Sequence, residues 1–154
     1  MKNLIIYASI HHGNTEKIAR EMGSVLDARL VKFHDITQED IEKADIIGFG
    51  SGIYFTKFHK RLINLVKGLP EMKRKKAFFF STSGMKGNNL LNKSHDKFRK
   101  ILEEKNFKIL GDFNCPGYDT YGVLKFIGGI HKGRPNQKDL EEARKFAEFI
   151  KENS

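Results

Sequence analysis

The stretch LIIYASIHHGNTEKIA, residues 4–19, decides the fold. An apolar run, Leu4-Ile5-Ile6-Tyr7-Ala8, stops at Ser9; two histidines, Gly13, Asn14 and Thr15 follow, and helical spacing begins with Ile18 and Ala19. Continuous rather than alternating apolar residues suit a strand buried on both faces, as in a parallel sheet. The polar turn that follows has two readings. Either Asn14 or Thr15 simply caps the helix, or the turn holds an anion on the free amides and partial positive charge of a helix start. In the second reading the amides of Gly13, Asn14 and Thr15 are the donors. The hydroxyls of Ser9 and Thr15, the Asn14 amide and a ring nitrogen of His11 or His12 complete the shell. The turn has no lysine and no Walker pattern, so a monophosphate or an equivalent dianion fits better than a nucleoside triphosphate. A metal on His11 and His12 would need a cysteine or carboxylate at a useful spacing, and none stands there.

Four further runs have strand length: Arg29–Phe33, Asp45–Gly50, Ala77–Thr82 and Lys108–Phe113. Helical stripes lie between and after them. Ile18, Ala19, Met22, Val25 and Leu26 share one face; Phe58, Leu62, Leu65, Val66 and Leu69 another; Phe98, Ile101, Leu102 and Lys105 a shorter one; Leu140, Ala143, Ala147 and Ile150 the last. Thr37 with Asp40, and Asn136 with Asp139, have capping-box spacing ahead of helices. Strands alternating with helices imply right-handed crossovers. The expected fold is an α/β three-layer sandwich, a five-stranded parallel sheet in the order 2-1-3-4-5 with helices on both faces, forming one domain over residues 1–154. Ligands of such sheets sit beyond the carboxyl ends of the strands, near the switch between strands 1 and 3. The loops that matter are then 9–15, 51–57, 83–92 and 114–135.

The loop GSGIYFTKFHK, residues 50–60, continues a GxGxG pattern at Gly48, Gly50 and Gly52. Gly50 and Gly52 would let the backbone approach a ligand closely. Tyr54 and Phe55 would offer it a flat apolar surface, so Ser51, Gly52, Ile53, Tyr54 and Phe55 form a second candidate segment. Phe58 is assigned to the core face of the next helix. The loop STSGMKGNNLL, residues 81–91, is rich in hydroxyls, glycines and amides. Through Thr82, Ser83, Gly84 and Met85 it can read the polar edge of a planar heterocycle.

The net charge of +9 is uneven: residues 1–45 carry 6 basic and 8 acidic side chains, residues 46–100 carry 13 and 2, and residues 101–154 carry 9 of each. The basic middle third is either a solvated face or a docking surface for something anionic. Its single cysteine, Cys115, rules out an internal disulfide, and no apolar run approaches the roughly 20 residues of a membrane span. Without a signal-peptide pattern, the expected location is cytoplasmic. Cys115 itself reads as a small buried residue before it reads as a redox thiol.

The phosphate-type turn after strand 1, the aromatic loop after strand 3 and the polar loop after strand 4 resemble the flavodoxin family along the whole chain. SIHHGNT is similar to that family's Ser/Thr-rich loop for the FMN phosphate, with one residue more before the glycine and histidines in place of threonines. GSGIYFTKFHKRLINLV and the basic segment YGVLKFIGGIHKGRPN are similar in part to flavodoxin-type protoporphyrinogen oxidases. The resemblance implies FMN as cofactor, bound by the residues of the three loops, with no side chain required to be catalytic. It implies an electron carrier between protein partners, the basic segment meeting an acidic redox protein or a small electron acceptor. The alternative is an FMN-dependent oxidoreductase acting on a small substrate such as a quinone or a tetrapyrrole precursor. Other α/β readings fail on particular residues. A low-molecular-weight phosphatase needs Cys-x5-Arg, and the sixth residue after Cys115 is Tyr121. A phosphoacceptor receiver needs acidic residues where Ser9 and His11 stand. Nucleic-acid binding has only the basic segment in its favour and no motif.

Overall fold

Five parallel strands take their places from the apolar runs. They are β1 (Asn3–Ala8), β2 (Ala28–Lys32), β3 (Ile46–Tyr54), β5 (Lys76–Ser83) and β6 (Lys108–Pro116), and they lie in the order β2-β1-β3-β5-β6. A two-residue strand, β4 (Lys57–Phe58), pairs antiparallel with the end of β3. The expected order is therefore observed, with one short strand inserted in the count. The computed structural model describes residues 2–9, 13–54, 57–83, 89–116 and 135–154. The helices are α1 (Asn14–Leu26), α2 (Gln38–Lys43), α3 (Lys60–Lys67), α4 (Asn89–Glu104) and α5 (Gln137–Glu152).

Two cores sandwich the sheet. On one face Ile47, Phe49, Ala77 and Phe79 pack with Leu62 and Val66 of α3 and Phe98 and Leu102 of α4. On the other, Ile5, Phe78, Phe80 and Cys115 pack with Ile18, Ala19 and Met22 of α1 and Ala143, Ala147 and Ile150 of α5. Residues two apart along a strand share a face, so continuous apolar runs serve both cores at once. Cys115 is fully buried in the second, the burial expected of it.

The structure moves three features of the sequence reading. Phe58 is core, only 2% exposed, but it belongs to β4 and not to a helix; its ring stacks on Phe98 at 4.4 Å between centroids and 12° between planes. β3 and β6 run past their expected ends, so Ser51–Tyr54 and Asn114–Pro116 are strand residues rather than loop. Gly50, expected to let a ligand approach, does not clear a path for one, and neither does Gly48. In the β3–β5 register Gly48 stands beside Phe78 and Gly50 beside Phe80. A Cβ on Gly48 would lie 2.3 Å from the Phe78 ring, and one on Gly50 would lie 2.2 Å from the Phe80 ring. Both glycines are empty because a neighbouring strand fills them with phenylalanine.

Capping separates the helices. Thr37 and Asp40 close a capping box on α2, and Asn136 and Asp139 close one on α5. His59 caps α3 by accepting from the Arg61 amide with Nδ1. α1 has no side-chain cap: Gly13 holds the N-cap position at φ 64°, a left-handed conformation that glycine adopts without strain. Asn14 and Thr15 are its first helical residues and not its cap.

Candidate functional site

The carboxyl ends of the strands gather short polar side chains on both faces of the sheet. On the α1 face, Thr15 Oγ1 and Thr82 Oγ1 share a buried hydrogen bond of 2.9 Å. This contact ties the first turn of α1 to the end of β5 and brings together two residues that the sequence assigns to different loops. Asn14 is also buried, at 8% exposure. Ser9 Oγ accepts from the Glu16 amide at 3.4 Å, folding the residue after β1 back toward the helix start. Tyr7, on β1, donates its hydroxyl to Glu16 Oε1 at 2.9 Å. Burial first, and then this bond, raise the phenol to about 12; the same bond is the main reason the Glu16 carboxyl stays below its ordinary value.

Ser51 lies on the opposite face, fully buried. Its Oγ donates to the Gly52 carbonyl at 2.6 Å and accepts from the His59 amide at 2.9 Å. Its side chain therefore folds β4 and α3 back onto β3. Ile53 packs partly buried against the α3/α4 core. Tyr54 is half-buried, and its ring stands where a side chain of Gly52 would be: a Cβ there would meet the Tyr54 hydroxyl at 2.9 Å. The edge of that ring meets His59, with centroids 5.5 Å apart and planes at 89°, and His59 also touches Phe33 at 5.2 Å. Burial and the nearby Arg61 cation hold the His59 imidazole below its ordinary value. Thr82 is buried and Ser83 half-buried at the end of β5. His11, His12, Phe55, Gly84 and Met85 lie outside the described residues, as does most of 114–135.

A second polar group at this end has no counterpart in the sequence reading. Ser81 Oγ is 2.6 Å from His95 Nε2, and His95 Nδ1 is 2.7 Å from Asp112 Oδ2. Arg99 donates to Asp112 Oδ1 at 2.6 Å. Asn114 donates to the Ser81 carbonyl at 3.2 Å and to Ser81 Oγ at 2.8 Å. The His95 hydrogen bond is the chief cause that keeps the Asp112 carboxyl below its ordinary value, with Arg99 adding to it against the effect of burial. One signal was available in the sequence. His95 stands three residues before Phe98 and seven before Leu102, so it lies on the apolar stripe of α4, where an unpartnered histidine would be costly.

Among the described residues no group of His, Cys, Asp and Glu is placed to hold a metal ion, and no helix is long and apolar enough to cross a membrane. A flavodoxin domain profile matches residues 4–137. An uncharacterized protein of Methanocaldococcus jannaschii is 44% identical over 153 residues, covering 99% of this chain and 100% of its own. Flavodoxin 2 from Bacillus cereus superposes with a TM-score of 0.76 at 20% identity, over 100% of both chains. A flavodoxin from the domain Archaea superposes with a TM-score of 0.69 at 17% identity, over 99% of this chain and 97% of that one. With a profile match that runs from β1 into the start of α5 and solved flavodoxins of the same fold, this chain belongs to the flavodoxin domain family.

Proposed function

We propose that the protein binds FMN at the carboxyl ends of β1, β3 and β5 and carries electrons between protein partners. The observation that carries this reading is the start of α1. It is a 13-residue helix, opened by a left-handed glycine with no side-chain cap, beside the hydroxyls of Ser9 and Thr15. Such a terminus offers backbone donors and a partial positive charge to a dianion, and a carboxylate cap in their place would repel it. Family membership supports reading that dianion as the phosphate of FMN. The residues present fit that group: hydroxyls and amides gather at the end of the sheet, the Glu16 carboxylate in the first turn of α1 is taken up by Tyr7 and Arg20, and Asn114 Oδ1 is buried there without a hydrogen bond from any described residue.

Bound FMN supplies the one- and two-electron chemistry. The chain's part is to bind, orient and shield it. Thr15, locked to Thr82, fixes the phosphate end relative to β5. Tyr54, braced by His59, gives the ring an aromatic neighbour, worth about 0.5–1.5 kcal/mol beyond buried area. Lys57, Lys60 and Arg61 are exposed beside Tyr54 and His59, and they favour an acidic redox partner approaching this end.

The test is fluorescence quenching of FMN and of riboflavin by the purified protein. FMN bound at least about tenfold more tightly is the expected result, because a dianion on charge-assisted bonds contributes more than 1.4 kcal/mol. Equal affinities would remove the phosphate assignment.

A further inference from the structure

The hydrogen-bond chain beneath the end of the sheet has a direction, fixed by a carbonyl at one end and a carboxylate at the other. The Ser81 backbone oxygen can only accept, so the Asn114 atom 3.2 Å from it is Nδ2, a donor. The same Nδ2 donates to Ser81 Oγ. Asp112 Oδ2 can only accept, so His95 Nδ1 carries a proton; in the neutral ring Nε2 is then the acceptor, and Ser81 Oγ donates to it. The other Asp112 oxygen receives Arg99. Ser81, His95 and Asp112 thus have the connectivity of a hydrolytic triad. Ser81 Oγ, however, is already engaged by His95 and by Asn114, so this hydroxyl is committed to the network and is not a free nucleophile.

What the chain does is orient the Asn114 carboxamide. Its nitrogen is held by the Ser81 carbonyl and hydroxyl, with Ser83 Oγ at 3.4 Å. Its oxygen is left over: Oδ1 is buried and accepts no hydrogen bond from any described residue. A buried acceptor with nothing to accept carries the full cost of its desolvation. Each donation by the amide nitrogen also polarises the amide and makes the oxygen a better acceptor. We propose that Asn114 Oδ1 is a preset acceptor for a ring N–H of the bound ligand, with His95 as the positioning residue that fixes its orientation through Ser81. The inference rests on the FMN reading, in which the one ring N–H of the oxidised isoalloxazine is its imide, N3–H.

The experiment measures binding of FMN and of 3-methyl-FMN, which lacks that proton, by fluorescence quenching and isothermal calorimetry. The native protein should prefer FMN by about tenfold, the size of one well-made hydrogen bond to a buried acceptor. Asn114→Ala, and the isosteric Asn114→Leu as a second variant, should reduce the preference below about twofold, with circular dichroism checking that each is folded. His95→Leu should lower the preference as well. His95→Gln, whose carboxamide oxygen can accept from Ser81, should restore it. A native protein that binds both flavins alike, or a tenfold preference that survives in a folded Asn114 variant, overturns the inference and leaves the FMN reading standing. In the second case the methyl group meets something other than Oδ1. A native protein that binds neither flavin overturns the FMN reading itself, and this inference with it.

Discussion

The two ends of the sheet handle their polar groups by different chemistry. At the amino end the groups are charged and near water. Arg29 donates to Asp40 at 2.7 Å, and Asp40 also closes the capping box with Thr37. The Lys75 ammonium donates to the Ala44 carbonyl at 2.6 Å and to that of Glu42 at 3.1 Å. Glu71 binds the Lys73 amide and the Asn106 carboxamide. At the carboxyl end the groups are mostly neutral and buried: Thr15 with Thr82, Ser51 with His59, Ser81 with His95 and Asn114. An ion pair has one arrangement, and exposed it contributes little to stability. A hydroxyl or carboxamide both donates and accepts, so a network of them can be held in place and still leave one acceptor for a ligand. The difference sets the two ends apart without any appeal to the size of a hollow. The depression between Lys2, Arg29, Asp40 and Lys43 lies at the other end.

That contrast can be broken most sharply where the carboxyl half is tightest. Gly50→Val should lower stability by about 3 kcal/mol in chemical denaturation, because the Phe80 ring occupies the space of the new side chain and overpacking a core costs that order. A loss under about 1 kcal/mol would mean that the ring has somewhere else to go. Thr15→Val comes next. It should weaken FMN by about 1–3 kcal/mol, by removing a hydroxyl at the helix start and the partner of Thr82, and should leave riboflavin nearly unaffected. At the amino end Thr37→Ala should cost about 1 kcal/mol of stability, the value of an N-cap, and nothing in FMN affinity. Any change in affinity there would merge the two ends.

Tyr7 gives a smaller effect with a sign in pH. Its folded value, about 12, is raised above the ordinary 10.0, so its contribution is complete below pH 10 and is lost as pH rises from 10 to 12. Native protein should therefore lose more stability over that window than Tyr7→Phe, and parallel curves would show that neither burial nor the Glu16 bond raises the Tyr7 phenol. The smallest effect is expected at the exposed cations. Charge reversal at Lys57, Lys60 and Arg61 should alter the flavin potential by less than about 1 kcal/mol in total, and added salt should erase the change. A potential indifferent to both would turn this basic cluster away from the cofactor.

The charge map shows what the sequence hides. The basic middle third is continuous in the chain, but its cations divide between the two ends: Lys57, Lys60 and Arg61 flank the candidate site, whereas Lys73, Arg74, Lys75 and Lys76 lie at the start of β5. Sheet order, both cores and two capping boxes were legible because they follow from runs and spacings within single segments. The Thr15–Thr82 bond and the Ser81–His95–Asp112–Asn114 chain were not, because they join residues 67 and 33 positions apart and exist only once register is set. GxGxG misled for the same reason. A glycine looks alike from the sequence whether it admits a ligand or a phenylalanine, and only the pairing Gly50↔Phe80 tells them apart.

That pairing also bears on how the sheet assembles. The face of β3 has three vacant slots at Gly48, Gly50 and Gly52, and β5 has two rings, Phe78 and Phe80, to put into them. Parallel strands meet late, after long loops have closed, and a strand displaced by two residues keeps every side chain on its proper face. Such a misaligned sheet would place Phe78 over Gly50 and Phe80 over Gly52, with both rings housed. In the native chain the third slot is taken by Tyr54, two residues further along the same strand. β3 thus carries its own stop against the mistake: the alternative alignment must first expel a ring that local chain geometry keeps returning.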